Sequence, residues 1–90
     1  MYYVYILFSD KDKQLYIGFT PDLKNRIKAH DGGFVKATQN RRPISLIYYE
    51  AYLGEFDARR REKYLKGGNG RKDLKIQLLD CFKKLKYKFA

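Results

Sequence analysis

One cysteine, no apolar run of membrane length and half as many acidic as basic residues set the first limits on this chain. With Cys81 alone, neither an internal disulfide nor a cysteine-based zinc site can form. Its place in the pattern Leu78, Cys81, Phe82, Leu85 predicts a buried helix residue in preference to a nucleophile. Nothing approaches the roughly 20 apolar residues that span a bilayer. The start Met1-Tyr2-Tyr3-Val4-Tyr5 has neither the basic region nor the cleavage site of a signal peptide, so a cytoplasmic protein is expected. Internal repeats are lacking too, and one domain over residues 1–90 is expected.

The shortage of acidic residues is the informative one. Ten Asp and Glu against twenty Lys and Arg leave a net charge of +10, interrupted along the chain by aromatics. Such a balance favours a polyanionic partner, nucleic acid first, through phosphate neutralisation and counterion release. Charge alone does not separate DNA from RNA. At 44% hydrophobic and 17% aromatic residues the chain is too apolar for a disordered tail, although ninety residues lie near the lower limit for a self-sufficient core.

Two tyrosine triplets, Tyr3-Val4-Tyr5 and Tyr16-Ile17-Gly18, lie in short apolar runs on either side of Ser9-Asp10-Lys11-Asp12-Lys13-Gln14. The period-two alternation of Tyr3, Tyr5, Leu7 against Val4, Ile6, Phe8 predicts a hairpin with Tyr5 and Tyr16 facing one side. Tyrosines in hairpins commonly serve packing; a pair of phenols on one cleft can also move protons or bind phosphate oxygens.

Thr20-Pro21-Asp22 predicts a helix start, with Thr20 as N-cap, and the helix should run from Pro21 to His30 before Asp31-Gly32-Gly33. On it, Leu23 and Ile27 form the inward stripe, and Arg26 and His30 share an adjacent face. Residues 31–43 read as a basic loop, solvated or contacting phosphates through Lys36, Arg41 and Arg42. A third strand is expected over Ile44–Glu50 and a second helix over Glu55–Lys66. In that helix Glu62 falls on the face of Ala58 and Leu65, where a carboxylate needs either an ion pair, with Arg59, Arg60 or Arg61 nearby, or a metal. A packing helix from Gly70 to Lys86, capped by Asn69, completes the chain, and the tail Lys83–Ala90 is expected to fray. This last helix needs its apolar stripe for the core, which argues against a peripheral membrane role. The predicted class is α+β: a three-stranded antiparallel sheet flanked by helices, in the order β-β-α-β-α-α.

Taken together, the two triplets, Asp22-Leu23-Lys24-Asn25-Arg26 with His30 a turn later, Asn40-Arg41-Arg42-Pro43 and Arg61-Glu62-Lys63-Tyr64-Leu65-Lys66-Gly67 resemble the GIY-YIG nuclease superfamily. The resemblance is to its small single-domain bacterial members and to the catalytic domain of the excision-repair nuclease. It implies an endonuclease that hydrolyses phosphodiester bonds in DNA, in repair or recombination, with a single Mg2+ or Mn2+ ion. By the same resemblance Tyr5 helps activate the attacking water, Tyr16 supports the cleft, Arg26 stabilises phosphate charge and Glu62 binds the metal. His30 occupies a position filled by histidine or tyrosine, and Gly18 is structural, admitting close approach of sheet, helix and substrate. Lys24, Lys36, Arg41, Arg42 and Lys66 are the expected nucleic-acid contacts. Phe19 stands where relatives often carry lysine, and Asn69 cannot be matched to their late asparagine. These two departures motivate an alternative, a nucleic-acid-binding module without chemistry, and a protein partner is a potential source of specificity.

Overall fold

Alternating aromatic and aliphatic residues place β1 (Tyr2–Ser9) at the centre of the sheet, between β2 (Leu15–Thr20) and β3 (Ile44–Tyr52), antiparallel to both. The computed structural model describes residues 1–87. Its helices are α1 (Leu23–Asp31), α2 (Glu55–Lys66), α3 (Gly68–Gln77) and α4 (Leu79–Leu85). The predicted α+β class and its three-stranded antiparallel sheet are observed, with the final helical stretch divided in two.

The period of two separates the sheet into two different faces. Val4, Ile6 and Phe8, with Leu15 and Ile17, form the core with Ala58 and Leu65 of α2, Leu74 of α3 and Phe82 of α4. Each such aliphatic or aromatic side chain, once fully buried, contributes about 1.5–3 kcal/mol. Tyr3, Tyr5 and Leu7 point the other way, and Tyr5 meets His30 of α1. The sheet is thus a partition, with the apolar core behind it and the tyrosines in front.

Several boundaries differ from the sequence expectation. Asp22, not Thr20, caps α1: its carboxylate accepts from the Asn25 N–H at 3.3 Å, while Thr20 Oγ1 accepts from the Asp22 N–H at 3.1 Å. Pro21 consequently precedes the helix instead of opening it. β3 runs two residues beyond Glu50, where Ala51 and Tyr52 pair with Tyr3 and Tyr2 of β1, and it sets Tyr48, Glu50 and Tyr52 on one face. Both phenols donate to Glu50, Tyr48 at 2.6 Å, and Arg61 of α2 donates from Nε at 3.0 Å and from Nη2 at 3.1 Å. Burial and the bond to Glu50 push both phenols up to about 12. Burial would raise the carboxyl of Glu50 as well, but Arg61 and the two phenols outweigh it and hold it below its ordinary value. This network locks β3 to α2.

Gly67 ends α2 in extended backbone, and α3 starts at once, so Asn69 lies inside its first turn and is not a cap. The expected continuous helix breaks at Leu78, which turns Phe82 into the core and lets Tyr87 pack 5.2 Å from it and 6.3 Å from Phe8, centroid to centroid. Of the tail expected to fray, Lys83–Leu85 are therefore helical, and residues 88–90 lie outside the described residues. Cys81 is half-buried and its thiol is pushed up by burial and then by Asp80, which fits an inert side chain.

Gly70 is where α3 crosses α2. A Cβ there would strike the Tyr64 carbonyl oxygen and sit 2.6 Å from Leu65 Cα, both backbone atoms that cannot rotate away. Gly70→Ala is expected to lower stability by about 1–3 kcal/mol. Urea unfolding of the two proteins checks this, and an unchanged midpoint would contradict it.

Candidate active site

Tyr5 sits at the middle of β1, directly opposite Gly18 of β2, and its side chain is fully buried. A Cβ at position 18 would collide with the Tyr5 phenol and lie 2.8 Å from its Cε1. Gly18 therefore makes room for the Tyr5 ring, where the sequence reading had it admit helix and substrate. Tyr16 pairs with Leu7, one diagonal away, so the two phenol rings lie on one face with centroids 6.3 Å apart. The hairpin brings together the two tyrosines that the alternation had aligned.

α1 supplies the next two groups from residues four apart. His30, fully buried in its last turn, stands 5.6 Å from the Tyr5 ring and 5.2 Å from the Tyr16 ring. Its Nε2 is hydrogen-bonded to Tyr5 Oη at 2.8 Å and its Nδ1 to Thr38 Oγ1 at 2.6 Å. Arg26 lies beside both phenols, and among the described residues its Nε is a buried side-chain donor without a hydrogen-bond partner. The phenol of Tyr5 raises the pKa of Arg26. Burial lowers the pKa of His30 and repulsion from Arg26 lowers it further, so the imidazole is neutral at neutral pH. For Tyr5, burial raises the phenol above its ordinary value; Arg26 acts the other way, as expected of a cation, but does not win. Tyr5 consequently keeps its proton in the resting protein.

Glu62, in the third turn of α2, is the carboxylate whose charge reaches the Tyr5 phenol. It does not sink into the apolar stripe with Ala58 and Leu65; its side chain is 21% exposed and accepts from Lys66 Nζ at 3.0 Å. The partner expected among three arginines is thus the lysine four residues on, the favoured helical order. The arginines are engaged elsewhere, Arg59 with Glu55, Arg60 with Asp57 and Arg61 with Glu50. Arg59 also lies 4.2 Å over the ring of Phe19, which brings positive charge to the place where a lysine was missed.

The remaining basic residues divide by their partners. Lys24 and Lys36 are exposed, and Lys24 lines a cleft of about 580 Å³ with Lys28, Tyr3 and Tyr49. Arg41 bonds to the Asp12 carboxylate and the Leu15 carbonyl, and Arg42 to the carbonyls of Gln39 and Asp31. These two arginines hold the 31–43 segment against the hairpin and the end of α1, a job the sequence reading did not give them. Thr38 was likewise missed, since nothing local in the sequence marks a threonine that meets a histidine eight residues back.

No group of three or more His, Cys, Asp or Glu able to hold a metal occurs among the described residues. The single, partly exposed carboxylate of Glu62 nevertheless suits a hard divalent ion that keeps most of its waters and shares phosphate oxygens. A soft metal would find no thiolate or histidine cluster here. Among the described residues no helix is long and apolar enough to cross a membrane.

A model of the GIY-YIG catalytic domain matches residues 1–75. The chain belongs to the GIY-YIG family. This is a family of nucleases that act on nucleic acid and generally use a divalent metal. The chain is similar to a UPF0213 protein of Clostridium perfringens, 46% identical over 67 residues that cover 73% of this chain and 71% of the relative. A UPF0213 protein of Staphylococcus haemolyticus is 38% identical over 76 residues, 83% of this chain and 92% of the relative. Among solved structures, the solution NMR structure of a UPF0213 protein from Bacillus halodurans superposes with a TM-score of 0.52 at 35% identity, covering 82% of each chain. The GIY-YIG match spans the hairpin, α1, β3 and α2, the elements that carry Tyr5, Tyr16, Arg26, His30 and Glu62.

Proposed function

We propose that this GIY-YIG chain is a divalent-metal-dependent endonuclease that hydrolyses phosphodiester bonds in DNA, with Mg2+ or Mn2+ held by Glu62. The observation that carries the reading is Arg26: a half-buried guanidinium beside two phenols, with a buried Nε that has no partner among the described residues, presents a fixed cation with a donor to spare for an anion. A protein built merely to bind a polyanion has no need to bury a donor behind two tyrosines; exposed lysines suffice.

In this reading Arg26 receives the non-bridging oxygens of the scissile phosphate, and its planar fork stabilises the charge that grows on them. Tyr5 and Tyr16 line the cleft where the attacking water is held, and as that water attacks phosphorus Tyr5 takes its proton while giving its own phenol proton to the hydrogen-bonded His30 Nε2. A bound divalent ion supplies further charge to the phosphate and eases departure of the alkoxide. Glu62 is released to the metal by moving one exposed lysine, Lys66, an exchange with little energetic cost. Lys24, Lys36, Arg41 and Arg42 are proposed to contact the sugar-phosphate backbone, the two arginines from a segment already fixed in place.

The test is cleavage of a panel of single-stranded, duplex and branched DNA and RNA, with Mg2+, with Mn2+ and with excess chelator. Nicks or cuts in DNA that require the metal are expected. Salt-sensitive binding with no cleavage on any substrate would instead favour the binding module, whose support is the +10 charge.

A further inference from the structure

We propose that Thr38 is a positioning residue that accepts from His30 Nδ1–H and so, with Tyr5 at the other nitrogen, holds the imidazole in the tautomer whose Nε2 lone pair is ready for the Tyr5 proton. The inference deepens the nuclease reading and rests on it for its catalytic consequence, though not for the tautomer itself.

The three side chains form an unbroken buried line. Tyr5, His30 and Thr38 are each 0% exposed, and their two links measure 2.8 and 2.6 Å. Tyr5 Oη meets His30 Nε2 on one side and the Arg26 guanidinium on the other, and among the described residues Thr38 Oγ1 has one hydrogen-bond partner, His30 Nδ1. A neutral imidazole donates from one nitrogen and accepts at the other, so the line can be ordered in two ways. Either Tyr5 donates to Nε2 and Nδ1–H donates to Thr38, or Thr38 donates to Nδ1 and Nε2–H donates to Tyr5. Two facts choose the first. A phenol, with a pKa of about 10, is a far stronger donor than an alcohol or a neutral imidazole N–H, so the phenol O–H takes the imidazole lone pair. The Arg26 cation beside the phenol also draws the oxygen lone pairs towards itself and turns the O–H dipole away, towards His30.

Thr38 does not reach the site by accident of a mobile loop. Its N–H donates to the Val35 carbonyl at 3.1 Å, and its carbonyl accepts from Arg41 N–H at 2.9 Å. Arg41 is in turn anchored by Asp12 and the Leu15 carbonyl, and Ser9 Oγ donates to the Arg41 carbonyl at 2.6 Å. The turn of the tyrosine hairpin thus clamps the segment that orients the histidine.

The proton inventory closes. As water attacks, its proton passes to Tyr5 Oη, and the phenol proton passes to His30 Nε2. Tyr5 ends neutral, as it began, and His30 ends as imidazolium, with its Nδ1–H held on Thr38 Oγ1. Tyr5 is then a relay, and the terminal base is an imidazole that is neutral in the resting state. This resolves the difficulty that burial raises rather than lowers the Tyr5 pKa.

His30 is the one histidine in the chain, so nitrogen-15 NMR of the imidazole reads the tautomer without assignment ambiguity and without metal or nucleic acid. The wild type is expected to show a pyrrole-like Nδ1 and a pyridine-like Nε2. In Thr38→Val, which keeps the shape and removes the acceptor, the pattern should move towards Nε2–H. Cleavage should fall on the order of 10²-fold, and Thr38→Ser should restore both. A wild type already protonated at Nε2 would overturn the proposal, as would a Thr38→Val protein with unchanged tautomer and unchanged cleavage. A wild type protonated at Nδ1 that cuts nothing would uphold the tautomer and sink the nuclease reading instead.

Discussion

Glu62→Gln is expected to reduce metal-dependent cleavage on the order of 10³-fold while leaving the urea midpoint almost unmoved. The two halves of that expectation come from different features of one side chain. In the resting protein Glu62 makes an i,i+4 pair with Lys66, whose side chain is 54% exposed. Such pairs are worth about 0.3–0.5 kcal/mol, so removing the charge hardly touches folding. For a metal the carboxylate is the one hard anionic donor whose charge reaches the Tyr5 phenol from α2, and glutamine is a poor replacement. Cleavage rates across a Mg2+ titration, beside urea unfolding, check both halves. Equal cleavage by the two proteins would remove Glu62 from the chemistry. A large loss of stability would show instead that the residue is structural.

The contrast between Glu62 and Glu50 shows what the sequence made legible. The period of two along β1 and β2 and the heptad-like spacing on α2 were enough to place the hairpin, the phenols and the helix bounds, because those are local patterns with one low-energy reading. Glu62 was visible as an acid on an apolar face, whereas Glu50 stood out only as the end of a strand, and partner choice is a tertiary matter. Arg61 is claimed by Glu50 of the neighbouring strand β3, an interaction between residues eleven apart that no helical wheel contains. Glu62 is then left with Lys66. The same limit explains Thr38 and Arg41. Their roles depend on a segment of irregular backbone closing against the hairpin turn, where neither period nor propensity speaks. Asp22 was a nearer miss, since Asp and Thr both cap helices well and the choice between them turned on where Pro21 lay. The division of the last helix at Leu78 had no sequence signal, because leucine is a good helix former and tertiary packing of Phe82 and Tyr87 decided it.

Arg26→Lys is expected to lower cleavage by about 10²–10³-fold without loss of stability, and the conservative replacement should fare little better than Arg26→Ala. The reason lies in geometry and desolvation together. The guanidinium is held beside Tyr5 and Tyr16 with a buried Nε that has no partner, so in the absence of substrate it contributes an unmet donor to the fold. An unsatisfied buried group costs about 1–3 kcal/mol, and removing it gives back part of that cost. Arg26→Ala also gives up the guanidinium's interactions with Tyr5 and Tyr16, so the two effects offset and it should unfold near the wild-type urea concentration, the behaviour of a residue retained for what it binds. Lysine restores the charge but not the planar fork that meets two phosphate oxygens at once, so it recovers long-range attraction and little rate. Loss of Arg26 also removes the cation that opposes burial at Tyr5 and that repels the proton from His30, so the phenol should rise further and the imidazole should protonate more readily. The check is a three-way comparison of cleavage, urea midpoint and the His30 titration followed by NMR. If Arg26→Ala cut as well as the wild type, or unfolded far more easily, the unpartnered donor would be a packing feature and the anion site would have to be sought elsewhere.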